Sequence, residues 1–445
     1  MTAAADTLAR HPGEPAPAAP GRVYVVILCG AGDRPIARLG GLTPLAHASC
    51  PSLDRLAARG TLGRLTVIDG EIVPESDSGA MALLGYDPLV HYTGRGPLEG
   101  LGCGFWQPSG SSVAFRINFG SRDPASGRLD RRTARDVNDA ELEALADELR
   151  AGVALRGSPG VEFELTAFGR HRGILCFTSR SVALSGDVSN TDPGFRKVGA
   201  FGVPNAHDGG PPERCLPLDG SAATAATADA VNAFVAESGR ILAASGVNAR
   251  RIAAGKLPAN VVLFRDGGHR LPDLPDFRAR AGMTLSFYGQ VPAERGLCRL
   301  IGGKFVDSRP APGQPEQQFL GELAETLPTD ESRLVLVHLK GADEPGHDDQ
   351  PLAKAAALER IDGFFVAPLV ARLRTEDVLV VTGDHCTPCE LGIHSADPVP
   401  TLVCGAGVAP DGTGAFTEAE AARGGLPVTR ATELLPFLTR LAAVR

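Results

Sequence analysis

A chain of 445 residues, 43% hydrophobic and 22% charged, has the balance of a folded globular protein rather than a disordered or fibrous one, and it is long enough for two domains. Its formal net charge of −8, without any run of lysine or arginine, lacks the basic footprint of a nucleic-acid binder, and no apolar stretch approaches the ~20 residues of a membrane helix. The nine cysteines are odd in number and scattered, which argues against a disulfide framework and for a reducing cytoplasm.

The first residues, 1–21, are rich in Ala and Pro and carry no secretory pattern; they read as a disordered tail. Val23–Cys29 is a β-branched apolar run that breaks into Gly30-Ala31-Gly32-Asp33, the pattern of a buried parallel strand ending in a tight turn. The carboxyl edge of such a strand is where ligands bind in open α/β sheets. Ser52–Arg59 reads as a short helix. The segment Pro74-Glu75-Ser76-Asp77-Ser78-Gly79 lies at a helix start, whose free N–H groups suit an anion. Ser76 there is either a nucleophile or, like Ser78, a helix cap; local sequence leaves both open. Tyr92-Thr93-Gly94-Arg95-Gly96-Pro97 presents Arg95 on a tight loop, its planar fork suited to phosphate or carboxylate.

From about 106 to 280 the texture changes to shorter strands, with helices near Ala140–Ala151 and Ala222–Ala244. Asp130-Arg131-Arg132, His171-Arg172 and Asp192 followed by Arg196-Lys197 are each, taken singly, ordinary surface charges. Together they form a set able to neutralise a small anionic ligand. Apolar strands then return at Leu334–Leu339, Val378–Thr382 and Pro398–Cys404. The predicted fold is therefore α/β, with a mostly parallel sheet and helices on both faces. Its core comprises 22–105 plus 281–445 and is interrupted by an inserted α/β domain at 106–280, with the site in the cleft between.

The strongest chemical signal follows the late strands: Asp343 and His347 after one, Asp384 and His385 after the next, and His394 nine residues later. Carboxylates and imidazoles at the ends of strands suit a pair of ions such as Zn or Mn. Paired ions ~4 Å apart suit in-line displacement at phosphorus. Cys386-Thr387-Pro388-Cys389 is a CxxC with no second pair to complete a zinc ribbon, and no independent role is assigned to it.

At these residues the chain resembles the cofactor-independent phosphoglycerate mutases of archaeal type, in the alkaline phosphatase superfamily. The resemblance runs from about residue 22 to the C-terminus and is carried by Gly30–Arg34, Leu84–Pro88, Tyr92–Pro97, Lys340–His347, Thr382–Cys389 and His394–Pro398. It implies an alkaline-phosphatase-like core in which Asp343, His347 and His394 hold one ion while Asp384, His385 and Ser76 hold the other. Ser76 would be transiently phosphorylated as a phosphoryl group moves between the hydroxyls of 2- and 3-phosphoglycerate. It further implies an insert that supplies Arg131, Arg172 and Asp192 to the glycerate, with Arg132, His171, Arg196 and Lys197 as further cations. Three positions depart from the pattern: Cys29 stands where an Asp ligates the second metal, Ala80 where a His is common, and Gly194 where the insert motif ends in His. A thiolate at position 29 favours Zn over Mn. The leading expectation is a metal-dependent mutase-like enzyme acting through phosphoserine. The runner-up is a homologue redirected to a phosphonate, an arsenate analogue or a phosphoenolpyruvate-like acid. The third reading is a non-catalytic binding protein without bound metal, against which the ligand set argues.

Overall fold

The computed structural model describes residues 21–443, apart from 71, 105, 107, 124, 131–135, 170 and 206–209. Arg131 and Arg132 therefore lie outside the described residues, as does nearly all of the N-terminal tail. In chain order the described strands are β1 (Val23–Leu28), β2 (Thr61–Leu65), β3 (Ser112–Arg122), β4 (Leu129–Asp130), β5 (Val161–Phe168), β6 (Arg172–Ser179), β7 (Phe195–Val198), β8 (Phe201–Pro204), β9 (Val261–Gly268), β10 (Leu285–Gly289), β11 (Lys304–Asp307), β12 (Leu334–Leu339), β13 (Val378–Thr382) and β14 (Val399–Gly405).

The main sheet runs β11-β10-β12-β1-β13-β14-β2. Its first five strands are mutually parallel; at one edge β14 runs antiparallel to them, and β2, antiparallel to β14, runs in their direction again. Every residue of β1, β12 and β13 is buried, which explains why they read as continuous apolar runs: a strand covered on both faces has no polar side to show. The alternation is real all the same. Val23, Val25 and Ile27 pack into one core and Tyr24, Val26 and Leu28 into the other, as the two-residue period of a strand requires. The strands expected to carry metal ligands are not neighbours, because β1 separates β12 from β13. Their ends are nevertheless level, with Ile27 paired to both His338 and Thr382, so the residues after all three strands emerge along one edge.

The second sheet has the order β4-β3-β6-β5, with β9 also paired to β3, and is antiparallel throughout. Helices Asp139–Gly152 and Ala222–Ala243 lie close to the positions read from the sequence. They supply Leu142, Leu145, Leu149, Val231 and Phe234 to a core beneath this sheet, closed by Phe177 and Phe264. The β7–β8 hairpin joins neither sheet; Phe201 stacks on Tyr92 at 4.9 Å and Phe195 lies under Arg265 at 3.9 Å. All nine cysteines are free. Cys386 bridges to Ala31, Gly32 and Ser395, and the Cys389 amide donates to Asp33, so the CxxC ties loops together. Among the described residues no helix is long and apolar enough to cross a membrane.

Candidate active site

The level strand ends place Cys29, Lys340 and Asp384 together, and helix Ser76–Leu83 closes on them from the side. Glu75 is the N-cap of this helix, and the Ser78 hydroxyl accepts the Glu75 amide at 3.0 Å. Ser78 thus performs the capping, which leaves Ser76 at the first helical position with its hydroxyl turned inward. Ser76 Oγ lies 3.6 Å from Cys29 Sγ and 3.5 Å from His385 Nε2. Cys29 Sγ in turn is 3.3 Å from Asp384 Oδ2 and 3.7 Å from His385 Nε2.

This is the second of the two expected ligand groups, and beside it stands the first. The ligand atoms of Asp343, His347 and His394 all lie within 4.8 Å of one another, as do those of Cys29, Asp343 and His385. The histidines are oriented from behind. His347 Nδ1 meets Gly392 O at 2.9 Å and His394 Nδ1 meets Pro74 O at 3.2 Å. A carbonyl oxygen only accepts, so each ring carries a proton on Nδ1, and Nε2, the lone-pair nitrogen of the neutral ring, faces Asp343 Oδ1, 3.5 Å away in both cases. His385 Nδ1 meets Thr387 Oγ1 at 3.2 Å, and that hydroxyl donates to Asp343 Oδ1 at 2.7 Å. Fixing one imidazole nitrogen to present the other is how metal-binding histidines are held. Buried His394 Nε2 has no hydrogen-bond partner, and a divalent ion is the partner that such a donor set accommodates. The residues present fit two ions, one in each group.

The electrostatics agree. Burial alone would raise the Asp343 and Asp384 carboxyls, but His347 and His394 beside the first, and His385 and His338 beside the second, hold both well below the usual carboxylate range. Burial pushes His385 down to about 3, leaving a neutral imidazole able to ligate. Burial and the Asp384 charge push the Cys29 thiol up to about 11, so ionisation at neutral pH needs a cation beside the sulfur.

Ser76 from one group and Asp343, His347 and His394 from the other line a cavity of about 930 Å³, together with Arg95, Arg116, Arg172, Arg265 and Glu75. Arg95 pairs with Glu75 and Glu99 at 2.8 Å each, and Arg116 shares Glu99 at 2.6 Å. These acids do not saturate the wall. Burial, with Arg95 as the next cause, pushes Arg116 down to about 9 and lowers Arg172 as well. The buried Nε atoms of both lack a hydrogen-bond partner. A crowded, desolvated set of guanidinium groups is a place for an anion.

The structure brings Ser76, Arg95, His171, Arg172, Asp343, His347 and His394 to this cavity, and Asp192, Arg196 and Lys197 are not among the residues that line it. Asp192 is fully buried and accepts the amide of Gly194 at 3.0 Å, stabilising its own turn. Lys197 is spent on the carbonyls of Gly186 and Gly267, and Arg196 is exposed. Loop composition shows charge but not the direction of a side chain. Conversely, Arg116 and Arg265 sit inside β3 and β9, His338 inside β12, and Glu294 at the start of helix Pro292–Leu300. A lone polar residue among apolar ones was the signal available for Arg116 and His338, and an Arg-Asp pair closing an apolar run was the signal for Arg265.

Comparison with known proteins agrees with this geometry. The family described as 2,3-bisphosphoglycerate-independent phosphoglycerate mutase matches residues 57–248. The phosphoglycerate mutase of that name from Methanoculleus marisnigri is 36% identical over 427 residues, covering 94% of this chain and 97% of the relative. The one from Aeropyrum pernix is 36% identical over 389 residues, covering 86% and 90%. Among solved structures, the PH0037 protein from Pyrococcus horikoshii superposes with a TM-score of 0.72 at 28% identity, covering 95% of this chain and 97% of that one. The cofactor-independent phosphoglycerate mutase from Thermoplasma acidophilum gives 0.57 at 30% identity, covering 95% and 100%.

Proposed function

The chain belongs to the family of 2,3-bisphosphoglycerate-independent phosphoglycerate mutases, and from that premise we propose that it shifts a phosphoryl group between hydroxyls of a small phosphorylated carboxylate through a phosphoserine at Ser76. The observation that carries this reading is the placement of Ser76 Oγ against Cys29 Sγ and His385 Nε2, with the capping duty taken by Ser78.

Asp343, His347 and His394 would hold one divalent ion, and Cys29, Ser76, Asp384 and His385 the other. Zn or Mn suits the oxygen and nitrogen donors, and the sulfur favours Zn. Ions bound there supply Lewis-acid stabilisation of phosphoryl oxygens and ease deprotonation of a coordinated hydroxyl. The residues of the chain do the rest. Ser76 gives up its proton as Oγ forms the bond to phosphorus and the bond from phosphorus to the substrate oxygen breaks, and that oxygen takes up a proton from solvent and leaves as a hydroxyl. In the return step the neighbouring substrate hydroxyl loses its proton as it bonds to phosphorus, the bond from Ser76 Oγ to phosphorus breaks, and Oγ regains a proton. Arg116, Arg172 and Arg265 hold the carboxylate during the exchange, so that the dephosphorylated acid turns over within the cavity without escaping. Glu75 is held well below the usual carboxylate range, since Arg265, His394 and Arg95 outweigh its burial. It therefore serves as a fixed counter-charge and not as a base.

The test is interconversion of 2- and 3-phosphoglycerate by the metal-loaded protein, together with trapping of label on Ser76 from a phosphorylated substrate. Turnover with no label on Ser76 would sink the covalent route.

One observation supports a second reading. Cys29 occupies the centre of the second ligand group, and Ala80 and Gly194 stand where the family resemblance leads one to expect histidines. A relative redirected to a phosphonate, an arsenate analogue or a phosphoenolpyruvate-like acid would bind metal yet leave phosphoglycerate unchanged. Ordinary mutase rates, ~1 per second or faster, would reject it.

A further inference from the structure

A buried network lies beneath the second ligand group and takes no part in the steps above. His338 and Glu294 are both fully buried. His338 Nδ1 is 2.7 Å from Glu294 Oε1, and His338 Nε2 is 3.0 Å from Asp384 Oδ2. The ring therefore bridges a carboxylate with no place among the ligands to one that has such a place. The other Asp384 oxygen accepts the amides of Gly30 at 3.2 Å and His385 at 3.1 Å. At the far end, Glu294 Oε2 accepts the amides of Gln290 at 2.8 Å and Val291 at 3.2 Å, two residues in the wall of the cavity.

We propose that Glu294 and His338 are positioning residues for Asp384, holding its carboxylate at the second ion position and tying that position to the Gln290–Val291 wall of the substrate cavity. The proposal rests on the two-ion reading above. Two carboxylates meet here, Glu294 and Asp384, and without a cation between them they would repel one another. His338 lies between them, 2.7 Å from one and 3.0 Å from the other, and Lys340 Nζ stands 3.0 Å from Glu294 Oε1 and 3.6 Å from Cys29 Sγ. His338 also lies within 4.8 Å of Cys29 and Asp384 as a possible third ligand. However, the Lys340 ammonium stands 3.2 Å from its Nε2, in the space that such an ion would need. Orienting partners of this kind are worth roughly 10- to 100-fold in metal affinity.

The experiment is a Co²⁺ titration of the metal-stripped full-length protein, followed by calorimetry and by the near-ultraviolet thiolate-to-cobalt absorption that reports Cys29. Wild type should bind two ions, one of them with the thiolate band. In His338→Ala and in the nearly isosteric Glu294→Gln, the band-producing step should weaken roughly 10- to 100-fold while the other step stays within about twofold. His338→Gln, which keeps one N–H donor, should recover part of the loss. If Glu294→Gln and His338→Ala both bind the band-producing ion as tightly as wild type, the positioning role is wrong. Three ions in wild type and two in His338→Ala would instead make His338 a ligand and overturn the proposal. Wild type that takes up no Co²⁺ would overturn the two-ion reading itself, a result distinct from either.

Discussion

A methyl group at Gly79 would stand 2.4 Å from the carbonyl oxygen of Asp384. The helix that carries Ser76 therefore touches the loop that carries two metal-ligand candidates, backbone to backbone. Gly79→Ala should force them apart, costing about 1–3 kcal/mol by overpacking and reducing turnover by more than tenfold. Denaturant unfolding and the mutase assay measure the two losses. Wild-type turnover in this variant would show that the spacing between Ser76 and Asp384 is not critical.

Ser76 and Ser78 stand two residues apart on that helix and should separate cleanly. Ser78→Ala removes the hydroxyl that meets the Glu75 amide, so about 1 kcal/mol of stability should go while turnover persists. Ser76→Ala should leave stability within about 0.5 kcal/mol and abolish turnover. The same two assays, run side by side, would expose an exchange of roles.

Replacing Cys29 with Asp should alter metal preference, since the side chain stands among Ser76, Asp384 and His385 at a strand end. An oxygen donor in place of sulfur suits Mn²⁺ better relative to Zn²⁺. Competition titrations should therefore show the ratio of Zn²⁺ to Mn²⁺ affinity falling by about tenfold or more. An unchanged ratio would mean that the sulfur does not ligate.

Asp330 gives a pH-dependent prediction away from the site. Burial alone would raise its pKa, but the Ser332 amide and the hydroxyls of Tyr288 and Ser286 lower it to about 2. A carboxyl depressed in the folded state contributes stability that is fully present above its unfolded value of about 3.9 and is lost as pH falls through about 2. Asp330→Asn should therefore be destabilised relative to wild type at pH 7, with the gap closing between pH 4 and pH 2. Urea unfolding across that range checks the sign.

Much of the fold was legible in sequence because the central strands are covered on both faces. Val23–Leu28, Leu334–Leu339 and Val378–Thr382 are uninterrupted apolar runs for that reason, and the polar residues following each marked the edge where chemistry collects. Asp343, His347, Asp384, His385, His394 and Ser76 were found because each is close in sequence to such a strand end or to a helix start.

The order of the strands was not legible, since pairing of β1 between β12 and β13 depends on contacts hundreds of residues apart. Nor was the cationic wall, because Arg116 and Arg265 lie inside predominantly apolar strands, while Asp192 and Lys197, in a promising loop, bond to backbone groups. The network of Glu294, His338 and Asp384 joins a helix to the ends of two strands. By itself the sequence determined which residues are chemically able to bind metal and anion, because side-chain chemistry and strand periodicity are local properties. Only the tertiary structure decided which of them share a site, because a side chain's direction and burial are set by packing against residues distant in the chain.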